Sequence, residues 1–161
     1  MSDILRAPPV TNPISFIVPG RFLLAYAPKH PRQHEIYTFA NLQARFPTLG
    51  GVLDLQRAPR RWFDASIEYH QIPLPGGPTA VPSTRKIQEC LAWINTFHHQ
   101  HPNKLLYVHC RHGINRTGLI TALYLKQCGV SNPLQLFADK RGIDSIDTIR
   151  PHIARLVATT Q

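Results

Sequence analysis

Acidic residues are scarce in this chain. Only nine Asp and Glu stand against eighteen Lys and Arg in 161 residues, for a formal net charge of +9. That imbalance predicts an anionic partner: nucleic acid, a phosphorylated ligand or a membrane surface. Cysteine is scarce too. Cys90, Cys110 and Cys128 are an odd number without metal-ligand spacing, which excludes a disulfide framework and predicts a reducing, intracellular compartment, nuclear or cytoplasmic. No apolar run approaches membrane-spanning length. The N-terminus has no charged start followed by an apolar core, so no signal peptide is expected and the chain reads as soluble. There is no internal repeat, linker or break in composition. A single domain over residues 1–161 is predicted, with an irregular Pro-rich segment at 1–13, and a monomer is expected. The hydrophobic fraction of 43% is too high for a disordered chain.

What is present alternates between strand and helix. Residues 14–18 and 22–26 read as strands around Pro19-Gly20. Thr38 can cap a short helix ended by Pro47. Residues 51–55 (GVLDL) and 67–72 are further strands. Residues 73–82 (PLPGGPTAVP) must be a loop, because proline and glycine deny them both helix and ladder. Ser83 then opens a helix with Ile87, Cys90, Leu91, Ile94 and Phe97 on one face. Residues 104–109 (KLLYVH) form a continuous apolar run, the pattern of a strand buried on both faces. A helix over 117–128 closes at Gly129. Asn132-Pro133 starts another, with Asn as cap, ending at Gly142. A last helix covers about 145–157, where Pro151 marks a kink or the first turn. The pattern predicts an α/β fold, a central mostly parallel sheet flanked by helices on both faces.

The informative segment runs from His109 to Gly118 (HCRHGINRTG), between the buried strand and the following helix. Ligands of open α/β sheets bind beyond the carboxyl ends of strands. Backbone N–H groups of such a turn converge on an anion, and the helix start adds its positive end. Gly113 and Gly118 suit a loop that bends sharply and approaches a ligand closely. Cys110 stands at the mouth of this nest. The groups that hold a phosphate also favour a thiolate, so Cys110 is expected to ionise readily and act as a nucleophile. Arg116 can bind two phosphoryl oxygens at once. Thr117 can offer its hydroxyl to the sulfur, and His109 can orient the loop. A lone cysteine after a strand is usually a small core residue. The joint occurrence of His, Cys, Gly, Arg, Thr and Gly at this junction favours the catalytic reading. Cys90 and Cys128 lie on helices and read as core.

The segment resembles the HCxxGxxR[ST]G signature of the protein tyrosine phosphatase superfamily at every fixed position. More narrowly, it resembles the HCTHGxNRTG loop of the metal-independent RNA 5′-triphosphatases, the branch of the metazoan capping-enzyme domains, the baculovirus phosphatase and the vertebrate RNA/RNP-complex phosphatase. The resemblance continues in Pro19-Gly20-Arg21-Phe22, in Val52-Leu53-Asp54-Leu55, in Arg61-Trp62-Phe63-Asp64, in residues 72–77 with Pro82-Ser83, and in Phe137-Ala138 through Ile143. It spans roughly residues 13–157. It implies a tyrosine-phosphatase-like fold and a two-step reaction through phosphocysteine with no metal or other cofactor. Cys110, Arg116, Thr117 and His109 are then the catalytic set, and Arg111, His112, Gly113, Ile114, Asn115 and Gly118 the substrate-binding loop. Arg21 and Arg141 are candidates for the remaining phosphates. Asp54 is the one carboxylate the resemblance places near the site, as an acid or an orienting group; by local pattern alone it could simply cap a turn. Arg111 stands where the branch has Thr, and Gln56-Arg57 where it has TNT. The segment at 140–143 lacks two prolines. No KxDG motif is present, so capping would require a second chain.

Residues 73–83 contain no Asp or Glu. Phosphotyrosine hydrolysis expels a phenolate of pKa about 10 and needs an acid. Removing a γ-phosphate expels a diphosphate end of pKa about 6, which leaves without one. The missing carboxylate therefore favours a phosphoanhydride substrate, and the resemblance implies RNA 5′ ends, tri- or diphosphate, as the partner, with a phosphoprotein as the alternative. Arg57, Arg60 and Arg61 with Trp62 and Phe63 could track single-stranded RNA or form core. His98, His99 and His101 fit a helix C-terminus better than a metal site.

Overall fold

The structure is a computed structural model and describes residues 14–16, 22–25, 43–44, 46–57, 66–76, 80–110, 115–143 and 149–160. Among the described residues, five strands form one sheet: β1 (Ile14–Phe16), β2 (Phe22–Ala25), β3 (Leu49–Asp54), β4 (Glu68–Gln71) and β5 (Leu105–His109). Their order is β1-β2-β5-β3-β4. Only the β1–β2 pair is antiparallel; β2–β5, β5–β3 and β3–β4 are parallel. The expected mostly parallel sheet is present, and β5 sits at its centre. Every residue of β5 is buried, which is why it reads as an unbroken apolar run.

Alternation along β3 and β5 sorts their side chains between two cores. Leu53, Leu106 and Val108 join a large cluster with α1 (Thr84–Gln100), α2 (Asn115–Gln127), α3 (Pro133–Arg141) and α4 (Pro151–Thr159). Leu49, Val52, Leu105 and Tyr107 form a smaller cluster with Ile67, against which Phe46 and Tyr69 pack. Gln43 and Ala44 are helical, while most of the helix expected from Thr38 lies outside the described residues.

Ser83 caps α1, its hydroxyl accepting from the Lys86 N–H at 3.2 Å. All five residues expected on its inner face are buried. The second helix starts two residues earlier than expected, at Asn115. Asn132 makes no side-chain capping bond, although Pro133 does occupy the first turn of α3. Gly142 ends α3 in the left-handed conformation that glycine adopts without strain. The last helix begins at Pro151, so this proline marks a first turn and not a kink. Cys90 is core, but Cys128 lies just past α2 and is exposed, contrary to expectation. No helix among the described residues is long and apolar enough to cross a membrane.

Candidate active site

The carboxyl ends of β3 and β5 lie side by side, with Asp54 in register with His109. Cys110 follows β5 directly and is 3% exposed. The Thr117 hydroxyl, in the first turn of α2, donates to the Cys110 Sγ at 3.1 Å. That contact fixes the sulfur at the amino end of α2, where the helix presents its positive pole. The first turn of α2 carries no acidic residue. Residues 111–114, which hold four of the expected loop positions (Arg111, His112, Gly113 and Ile114), lie outside the described residues, as does Arg21.

Arg116 extends beneath the loop that follows β4. Its Nη1 approaches the backbone oxygens of Leu55 at 3.5 Å and Leu74 at 3.4 Å. Both distances are at the long limit of hydrogen bonding, and neither acceptor is a carboxylate. The guanidinium is therefore held in place weakly enough to exchange these contacts for phosphoryl oxygens. The loop is itself tied to the sheet, since the Leu74 N–H donates to the Leu55 carbonyl at 3.0 Å. A Cβ at Gly76 would lie 3.3 Å from the Arg116 Cζ, so a larger residue there would press on the guanidinium.

Behind the cysteine is a buried polar chain. The His109 Nδ1 is 3.2 Å from the Cys110 carbonyl oxygen, and a carbonyl can only accept, so Nδ1 carries the proton. The same nitrogen is 3.9 Å from Asp54 Oδ1, an electrostatic approach beyond hydrogen-bond length. Asp54 has no solvent-exposed surface. Its Oδ1 accepts from the Gln56 N–H at 2.8 Å, and its Oδ2 accepts from the Tyr69 hydroxyl. Strand register explains the geometry: Tyr69 pairs with Val52, two residues before Asp54 on the same face. Sequence reading did not single out Tyr69. Its link to Asp54 depends on which residue of β4 pairs with which residue of β3, a relation without a local sequence signal.

Two expected substrate-binding residues are placed otherwise. Gly118 lies inside α2 and not in the turn, so it does not supply loop bending. A Cβ on it would come within 2.8 Å of Phe137 on α3, so its missing side chain allows two helices to close together. Arg141 is fully buried at the end of α3 and presents no surface to a ligand arriving from solvent. Asn115 is placed at the site, and its Oδ1 accepts from the Arg150 N–H at 3.0 Å. Of the basic-aromatic cluster, Arg60, Arg61, Trp62 and Phe63 lie outside the described residues. His98 and His99 occupy the last turn of α1, and His101 pairs with Glu68 at 3.2 Å.

A nucleophile on a strand end, a hydroxyl on its sulfur, a guanidinium six residues on and a mostly parallel sheet beneath them define a cysteine-dependent phosphatase of the dual-specificity and tyrosine phosphatase type. The chain belongs to the DSP-PTPase phosphatase domain family of the Swiss Army Knife proteins, whose model matches residues 11–159. It is 28% identical over 149 residues to the tyrosine-protein phosphatase of Autographa californica nuclear polyhedrosis virus, covering 88% of this chain and 82% of the viral protein. It is 29% identical over 136 residues to the mRNA-capping enzyme of Caenorhabditis elegans, covering 78% of this chain and 21% of that enzyme. Among solved structures, the catalytic core of the S. cerevisiae PP-IP phosphatase SIW14 superposes with a TM-score of 0.71 at 15% identity, over 96% of this chain and 87% of that one. Human DUSP28 superposes with a TM-score of 0.67 at 15% identity, over 94% and 95%. At these identities the structural likenesses establish the fold.

Proposed function

We propose that the chain is a metal-independent polynucleotide 5′-phosphatase that removes the γ-phosphate from RNA 5′ ends. The observation that carries this reading is a phosphate clamp without an available acid among the described residues. The loop that touches Arg116 through Leu74 has no carboxylate from residue 73 to 83. Asp54, the nearest described carboxylate to the sulfur's strand end, is enclosed, and both of its oxygens already accept hydrogen bonds. Such a site favours a leaving group that needs no proton, and a diphosphate end is one. The net charge of +9 suits a polyanion. A viral phosphatase and a capping enzyme among the relatives are consistent with this reading.

In this account the Cys110 thiolate attacks the γ-phosphorus in line. The bond from phosphorus to the bridging oxygen breaks, and that oxygen leaves with the diphosphate end. Arg116 holds equatorial oxygens as charge spreads. Water then attacks the phosphocysteine, the S–P bond breaks, and orthophosphate departs with the thiolate restored. Thr117 stabilises the departing sulfur at 3.1 Å. Asp54 acts by orienting His109, which holds the Cys110 carbonyl. Purified protein should release phosphate from triphosphate-ended RNA in the presence of EDTA. Efficient turnover of phosphotyrosine peptides with inert RNA would overturn the assignment in favour of a dual-specificity protein phosphatase, the reading suggested by the name of the viral relative.

A further inference from the structure

We propose that Arg150 holds the phosphate next to the one being transferred, which makes it a specificity-determining residue for phosphoanhydrides. This rests on the reading of the substrate as a phosphoanhydride. Arg141, expected to serve that purpose, is wholly buried. Arg150 is partly exposed and is fixed to the first residue of α2, because its backbone N–H donates to the Asn115 Oδ1 at 3.0 Å. Asn115 directly precedes Arg116. The contact therefore brings a second arginine to the residue beside the clamp, from a segment thirty-five positions away in sequence.

Its position is rigidly determined. Arg150 is the N-cap of α4 with extended backbone, and Pro151 occupies the first turn and fixes its own φ. Ile153 and Val157 bury the inner face of α4. Its far end is held by Lys126 of α2, whose Nζ donates to the carbonyls of Val157 at 2.8 Å, Ala158 at 3.3 Å and Thr160 at 2.7 Å. Helix α4 is thus bonded to α2 at both ends, and the amino ends of the two helices meet at Asn115 and Arg150. Neither first turn contains an acidic residue. Two positive helix poles therefore meet beside the clamp, and the backbone of a second arginine stands at the residue next to Arg116. A phosphomonoester has no group to place there.

The test compares inorganic triphosphate with orthophosphate as inhibitors of 4-nitrophenyl phosphate hydrolysis by wild type, Arg150→Ala and Arg150→Lys. Wild type should bind triphosphate more tightly than orthophosphate. Arg150→Ala should weaken triphosphate inhibition about tenfold relative to orthophosphate, the effect of losing one charge-assisted contact. Arg150→Lys should recover part of the difference, because it keeps the charge without the planar fork. Equal loss for both inhibitors would mean that Arg150 only supports the loop, and would overturn the inference. So would an unchanged ratio, or a wild type indifferent to the second phosphate. Triphosphate-ended RNA assayed in parallel separates the two levels. Inert RNA with a shifted inhibition ratio removes the RNA reading and keeps Arg150, whereas hydrolysed RNA with an unshifted ratio does the reverse.

Discussion

Cys110 and Cys90 are both buried, at 3% and 0% exposure, yet only one of them is placed to do chemistry. Cys90 is in the middle of α1, within the main hydrophobic core. Burial pushes its thiol up to about 12, with Glu89 adding to the rise and Lys86 opposing it. Cys110 belongs to the same core cluster, but it terminates the central strand and meets the amino end of α2. A hydroxyl donates to its sulfur, and an arginine from the same turn lies under the adjoining loop. Burial therefore does not separate a structural thiol from a nucleophilic one. What separates them is the direction of the polar groups around the sulfur, and strand-to-helix junctions supply those groups where helix interiors do not.

Substitutions should widen or close this contrast in a definite order. Cys110→Ser should lower phosphate release by about 10⁴-fold or more while keeping orthophosphate binding, as measured by turnover and by ligand titration. Arg116→Lys should cost about 10²- to 10³-fold in kcat, because an ammonium cannot grip two oxygens in one plane. Near-normal kcat in that variant would show that the clamp is misassigned. Thr117→Val should slow the second step about tenfold or more, read as accumulation of phosphoenzyme in rapid-quench experiments, and Thr117→Ser should restore it.

The smallest effect is expected on the other cysteine. Cys90→Ala should leave kcat within about twofold and cost of order 1 kcal/mol in denaturant unfolding. Its pH dependence has a definite sign. The folded thiol titrates higher than the unfolded one, so its contribution is fully present below the unfolded value of 9.0. It is then lost as pH rises toward about 12. Wild type should therefore lose stability across that window more steeply than Cys90→Ala. Parallel curves for the two proteins would show that the Cys90 environment is misjudged.

Much of this contrast was legible in the sequence. The run at 104–109 announced a strand buried on both faces, and Ile87, Cys90, Leu91, Ile94 and Phe97 announced a helix face with Cys90 inside it. The spacing of Cys110, Arg116 and Thr117 carried the loop chemistry, and the Thr117 hydroxyl is on the sulfur as expected. Less visible was anything decided by side-chain packing between distant elements. Gly118 looked like a loop glycine because it lies in the motif, but Phe137 of α3 dictates its size. The family resemblance offers Arg141 as a phosphate ligand, but it is enclosed. Cys128 reads as core from its place on an apolar helix, yet α2 stops one residue earlier and leaves it exposed. Tyr69 and Arg150 reach Asp54 and Asn115 only through strand register and helix docking, and neither relation has a local sequence signal.

The assignment of Cys110 as the nucleophile is tested most directly by trapping the intermediate. Wild-type protein would be mixed with γ-labelled triphosphate RNA or with 4-nitrophenyl phosphate, quenched within one turnover, digested and mapped by mass spectrometry. The account predicts a phosphate on Cys110, absent from Cys90 and Cys128 and lost in Cys110→Ser. Turnover at the wild-type rate with the phosphate on another residue, or with Cys110→Ser as active as wild type, would contradict it.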